Sequence, residues 1–180
     1  MDGRDKPVHA DSARVDQETL DQLFALTYEE LRSLAAAVRC VHPSATLNPT
    51  ALVNEAWLKL SGTRIAAASR VHFKRIAGRA MRQILVDAAR ARHARKRNAG
   101  PAITFDDSLV LTEERDVLGL DAALSELASL EPRQAMMVEA RFFGGLEVTE
   151  VAELLEVSEA TILRDWRAAK AWLAQELRPR

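Results

Sequence analysis

The chain has 180 residues, with 25 Lys/Arg against 26 Asp/Glu and one cysteine, Cys40. That length accommodates one domain or two small ones, and a single thiol excludes an internal disulfide. No run approaches the ~18 uninterrupted apolar residues of a membrane span, and the polar start MDGRDKPVHADSARVD lacks the apolar segment of a secretory signal, so a soluble cytoplasmic protein is expected.

Residues 1–17 are polar and Asp-rich and read as a disordered tail. From Glu18 to about Val41, Leu20, Leu23, Phe24, Thr27, Leu31, Leu34 and Val38 recur at intervals of three and four, which predicts an amphipathic helix. Asn48 is a good N-cap, and Pro49 suits the first helical position because its missing N–H would be unpaired there anyway. Leu52, Val53, Ala56, Trp57 and Leu60 then form an apolar face that Gly62 closes. A third helix is predicted from Val71 to Arg95. Phe73, Ile76, Ala77, Ala80, Ile84 and Ala88 line one side, and Arg75, Arg79, Arg82 and Arg90 lie off it.

Asn98, Gly100 and Pro101 break this pattern, and residues 99–117 read as a linker. Helical spacing resumes at Leu118 with Leu120, Leu124, Leu127 and Leu130. Pro132 opens another helix, with Ala135, Met136, Val138, Glu139 and Phe142, and Gly144–Gly145 ends it. No alternation long enough for a strand is present. The expected fold is all-α: two small helical domains, 18–98 and 118–178, joined by a flexible linker.

Charge is distributed unevenly. Arg70–Arg97 holds ten Lys/Arg and one acid, Asp87, a net +9, so a total of −1 leaves −10 on the other 152 residues. A basic stripe with helical apolar spacing is a folded surface suited to a polyanion. The competing reading is a solvated helical face.

The C-terminal part reads LEVTEVAELLEVSEATILRDWRAAKAWL from Leu146. Val148, Val151, Ala152 and Leu155 give a short helix, Glu156–Val157–Ser158 a break with Ser158 as N-cap, and Ile162, Trp166, Ala169 and Leu173 the core face of a second helix. The small Ala152 and the apolar turn residue Val157 fit a helix-turn-helix, whose second helix enters the major groove. Glu159, Ala160, Thr161, Arg164, Asp165 and Arg167 are read as its outward positions. Arg can grip guanine with two hydrogen bonds, and Thr can touch a thymine methyl. An ordinary helical hairpin has the same spacing.

Three blocks, PTALVNEAWLKL (Pro49–Leu60), AMRQILVDAARARHARKR (Ala80–Arg97) and RDWRAAKAWL (Arg164–Leu173), resemble the bacterial extracytoplasmic-function (ECF) sigma factors, in particular the subgroup with an RDWRxAxAWL final helix. The resemblance runs from about Leu20 to Leu177. It implies a two-domain transcription initiation factor whose partners are core RNA polymerase and promoter DNA. Leu52, Asn54, Glu55, Trp57 and Leu58 would bind polymerase, with the polar pair Asn54 and Glu55 the stronger candidates. Arg75, Arg79, Arg82, Gln83, Arg90, Arg92, Arg95, Lys96 and Arg97 would hold the opened −10 strand. Glu159, Thr161, Arg164, Asp165, Arg167 and Lys170 would read the −35 duplex. Many relatives carry aromatics where this chain has Ile76, Ala77 and Gly78. An anti-sigma or other regulatory protein that covers one domain is also implied, as for many relatives.

There is no phosphate-cradling glycine loop, and the Ser, His and Asp residues show no nucleophile context. His9, His42, His72 and His93 are scattered, and Cys40 with His42 supplies only two of the three or four ligands a zinc site needs. No metal, cofactor, small-molecule substrate or enzymatic activity is expected. Two other function classes stay open: a stand-alone helix-turn-helix regulator, which would bind duplex tightly without polymerase, and a helical interaction protein, which would show no salt-sensitive nucleic-acid binding.

Overall fold

A computed structural model describes residues 8–38, 48–62, 69–95 and 114–177. At 8–17, 38, 92–93, 95 and 114–116 it describes the backbone alone. All regular structure among these residues is helical, in seven elements: α1 (Val8–Val38), α2 (Pro49–Ser61), α3 (Arg70–Arg95), α4 (Glu114–Leu130), α5 (Pro132–Phe142), α6 (Val148–Leu154) and α7 (Glu159–Glu176). No helix among the described residues is long and apolar enough to cross a membrane.

The local signals act where the sequence placed them. Asn48 Oδ1 accepts the N–H of Ala51 at 2.7 Å and Pro49 opens α2. Gly62 ends that helix without entering the left-handed region (φ −81°). Pro132 opens α5, and Gly145, at φ +60°, lets the chain turn back so that the N–H of Leu146 reaches the carbonyl of Ala140 at 3.1 Å.

Two boundaries differ from expectation. Helix α1 begins at Val8, inside the segment 1–17 read as a disordered tail. Lengthening an existing helix adds one hydrogen bond per residue with no new nucleation cost, so Ala10, Ala13, Arg14 and Gln17 can extend it without an apolar stripe. Helix α4 begins at Glu114, four residues before the expected start, because Val117 is already buried in the core. The rest of the expected linker lies outside the described residues.

Two apolar cores form. Helices α1, α2 and α3 enclose Leu20, Leu31, Leu52, Val53, Phe73 and Met81. Phe24 stacks on Trp57 with ring centroids 4.4 Å apart. Buried Thr27 donates its hydroxyl to the carbonyl of Leu23 at 2.7 Å, which satisfies the one polar group on that face. The second core gathers Leu120, Leu124, Leu127, Met137, Val151, Ile162 and Leu173 from α4 to α7, and it includes Val86 and Ala89 of α3. Helix α3 therefore buries two faces, one in each core. The expected single apolar side, ending at Ala88, accounts for only the first, and Ala88 itself is half-buried.

Where the cores meet, backbones touch. A Cβ on Gly78 of α3 would stand 2.6 Å from Gly144 N and Phe143 C, and a Cβ on Gly144 would stand 2.6 Å from the carbonyl of Ala140. Both positions are open only to glycine.

The turn between α6 and α7 closes as a Schellman motif. Val157 N–H bonds the Ala152 carbonyl at 3.0 Å and Glu156 N–H the Glu153 carbonyl at 3.3 Å. Glu156 holds the left-handed position, φ 54°, which glycine usually fills because a Cβ there is strained. Glu156→Gly is expected to raise stability by about 1 kcal/mol in urea denaturation, and Glu156→Ala is expected to give no such gain. An equal effect of the two variants would show that the backbone angle contributes nothing.

Candidate nucleic-acid interface

Helices α6 and α7 form a helix-turn-helix whose second helix is capped and braced. Ser158 Oγ accepts the N–H of Thr161 at 3.2 Å and shares a 2.9 Å hydrogen bond with its hydroxyl. Glu147 and Glu150 close a capping box at the start of α6. Inward, Ile162, Ala169 and Leu173 are buried. Outward, Glu159, Ala160, Leu163, Arg164, Arg167, Ala168 and Ala171 are exposed, a continuous ridge at helical spacing with Arg164 uncovered to 72% at its centre.

Asp165 is not on that ridge. It is 5% exposed, and Arg133 of α5 donates a hydrogen bond from Nε to its Oδ2 at 2.9 Å and pairs with the same oxygen through Nη2 at 2.8 Å. Its spacing, three after Ile162 and four before Ala169, turns it inward. The reading of Asp165 as a base-contacting residue is replaced by a tie between α5 and α7. A second tie lies beside it: the Arg141 guanidinium sits 4.5 Å from the ring centroid of Trp166, a cation–π contact. Helix α5 thereby fixes the attitude of α7. Thr161 and Lys170 are half-buried, Thr161 occupied by the cap. Leu163, absent from the predicted set, is 42% exposed on the outward ridge. It lies off the Ile162–Trp166–Ala169 series, and that offset was the available signal.

The basic helix divides into two lines. Arg79, Gln83 and Arg90 are exposed, with Gln83 donating to Asp87 Oδ1 at 2.9 Å. Arg82 and Lys74 face the second core's helices. Arg82 meets Glu139 Oε1 at 2.9 Å and Asp121 Oδ1 at 2.8 Å, and donates to the Asp121 carbonyl at 3.2 Å. Arg90 reaches the other Asp121 oxygen at 3.3 Å. Lys74, 5% exposed, donates to the Gly145 carbonyl at 3.0 Å and pairs with Glu150 at 3.4 Å and Glu30 at 3.3 Å. Arg75 is half-buried against His72. Arg92 and Arg95 hold helical positions, and Lys96 and Arg97 lie outside the described residues. Lys74 was missed by sequence reasoning. Gly78, one turn on, was the signal: a glycine inside a helix costs about 1 kcal/mol against alanine and marks a close approach.

On α2, Asn54, Glu55 and Leu58 are exposed, Leu58 to 68%. Trp57 is half-buried under Phe24, and Leu52 is buried in the first core. Leu52 is thus corrected from contact residue to core. The outward face offers two polar groups beside an uncovered leucine.

Burial alone would raise the Glu30 carboxyl, but hydrogen bonds from Arg70 and Lys74, with their charges, hold it below the ordinary carboxylate range.

The family model described as ECF sigma factor matches residues 11–179. No curated protein and no solved structure matches the chain.

Arg133→Ala strands a buried carboxylate and is expected to cost about 2–3 kcal/mol. Asp165→Ala leaves Arg133, which is half-exposed, free to be hydrated and is expected to cost less; denaturant melts of both variants check the order. Glu30, with its lowered folded value, contributes stability that is complete above its unfolded value near 4.5 and is lost as pH falls through the folded one. Glu30→Gln is therefore expected to lose less melting temperature than the parent chain between about pH 6 and pH 3. Equal losses would show that the Arg70 and Lys74 ties contribute nothing to stability.

Proposed function

Because the chain belongs to the ECF sigma factor family, whose members act with core RNA polymerase on promoter DNA in transcription initiation, we propose that its three surfaces divide that work. The outward ridge of α7 reads the −35 duplex, α3 and the basic residues after it hold the opened −10 strand, and the exposed face of α2 docks on polymerase. The observation that carries this reading is the α7 ridge. Arg164 and Arg167 stand uncovered on a helix with a capped start and a braced back, which is what insertion into a major groove requires. Leu163 adds an apolar group of the kind that contacts a thymine methyl, and Glu159 and Lys170 flank it. On α3, Arg75, Arg79, Arg82, Arg90, Arg92 and Arg95, with the polar Gln83 among them and Lys96 and Arg97 following in sequence, provide the basic track that a single strand needs. On α2, Asn54, Glu55 and Leu58 form a mixed polar and apolar face suited to helix recognition.

Capture of purified core polymerase by the chain, followed by run-off transcription from a pool of genomic promoters, tests the proposal. New start sites sharing −35 and −10 sequences are the expected result. Tight binding to duplex alone with no polymerase binding would favour a stand-alone regulator. Arg164→Ala is expected to lower −35-dependent initiation about 10- to 100-fold with polymerase capture unchanged; an equal fall in capture would remove the −35 role from Arg164.

A further inference from the structure

We infer that Asp165 is a positioning residue for base recognition: held from behind by Arg133, it orders the guanidinium of Arg164 and sharpens the choice of the base pair that Arg164 reads. This rests on the assignment of the α7 ridge to the −35 duplex made above. The two oxygens of Asp165 have different neighbours. Oδ2 takes Arg133, which donates from Nε at 2.9 Å and pairs through Nη2 at 2.8 Å. Oδ1 stands 3.9 Å from Nε of Arg164, within ion-pair range and beyond a hydrogen bond. The Asp165 side chain is 6% exposed and that of Arg164 is 72% exposed. An anchored carboxylate therefore lies beside an uncovered guanidinium.

That arrangement acts on the cost of recognition. A long arginine side chain loses rotamer freedom when it grips guanine through two parallel hydrogen bonds. Ordering it beforehand lowers that cost for the favoured geometry alone. With Nε drawn toward Asp165, the two Nη groups are left for O6 and N7 of guanine. An exposed ion pair usually contributes little, because both side chains must be ordered to make it. Here Arg133 and burial have already ordered one of them.

The run Arg164-Asp165-Trp166-Arg167 separates bracing from positioning. Its outer residues are exposed on the ridge, and its inner two meet α5. Asp165 takes Arg133, and the Trp166 ring lies 4.5 Å from the Arg141 guanidinium. Both inner residues hold α7 against α5, but of the two only Asp165 also pairs with a ridge residue. Loss of the Arg141 contact is thus a loss of bracing with the Asp165–Arg164 pair left in place.

Run-off transcription by the full chain with core polymerase, on a promoter library randomised over the −35 element, tests the inference. Base preference at each position is read as a ratio of transcripts. A ratio among promoters does not depend on the fraction of chain that is folded, so lower stability by itself leaves it unchanged. Arg164→Ala is expected to flatten the preference at one base pair about 10-fold or more. Asp165→Asn is expected to flatten it at the same base pair about 3- to 10-fold, and to add nothing once Arg164 is alanine, as for two residues acting through one contact. Arg141→Leu keeps an apolar group against Trp166, removes the charge, and is expected to lower all transcripts alike. A preference unchanged by Asp165→Asn, or flattened equally by Arg141→Leu, assigns Asp165 to bracing alone and overturns the positioning role, with the −35 reading of Arg164 left standing. Flattening by Asp165→Asn that persists beside Arg164→Ala overturns it as well. A library in which no base pair responds to Arg164→Ala removes the −35 reading of Arg164, and the positioning role with it.

Discussion

The approach of Gly78 to Phe143 and Gly144 sets the terms for the rest of the molecule. Two backbones in contact leave no room for side chains between them, so every neighbouring group must reach round the contact. Lys74, one turn earlier, does so by turning its ammonium into the loop after α5. Arg82, one turn later, does so by forking across Asp121 and Glu139. The apolar residues further along, Val86 and Ala89, then close over α4 and α5. A single alanine in place of either glycine would disturb all of these together.

Charge is met on both sides of α3. The positive charge gathered in Arg70–Arg97 is larger than any solvated face needs, and much of it is met internally: Arg70, Lys74, Arg82 and Arg90 all pair with carboxylates. Partly buried pairs lose hydration as they gain attraction, so their net worth is modest and close to balance. The acid-rich remainder of the chain supplies the counter-charges.

Much of this was legible in the sequence, and the exceptions have physical causes. Asn48–Pro49, Pro132, Gly144–Gly145 and Ser158 act through local backbone chemistry that no tertiary partner can alter, so the helices begin and end near them. The inward turn of Asp165 was legible too, since its spacing from Ile162 and Ala169 is that of a core residue, but a charged side chain drew a polar assignment. The second buried face of α3 was not. Alanine lies on both sides of that helix, giving no contrast in hydropathy, and nothing in Lys74 or Arg82 announces a carboxylate 76 or 57 residues away. Long-range pairing of charge leaves no periodic trace. The start of α1 at Val8 escaped notice for a related reason: a helix extended from an existing one needs no stripe of its own.

Shared ownership of α3 has a consequence for the birth of the chain. Helices α1 to α3 can complete their own core as soon as they leave the ribosome, but Val86 and Ala89 stay bare until α4 and α5 follow. During that interval the nascent domain displays an apolar strip bordered by arginines, whose mutual repulsion between copies opposes the association that exposed apolar surface invites. The cations that later meet Asp121 and Glu139 thus first serve as guardians of an unfinished interface.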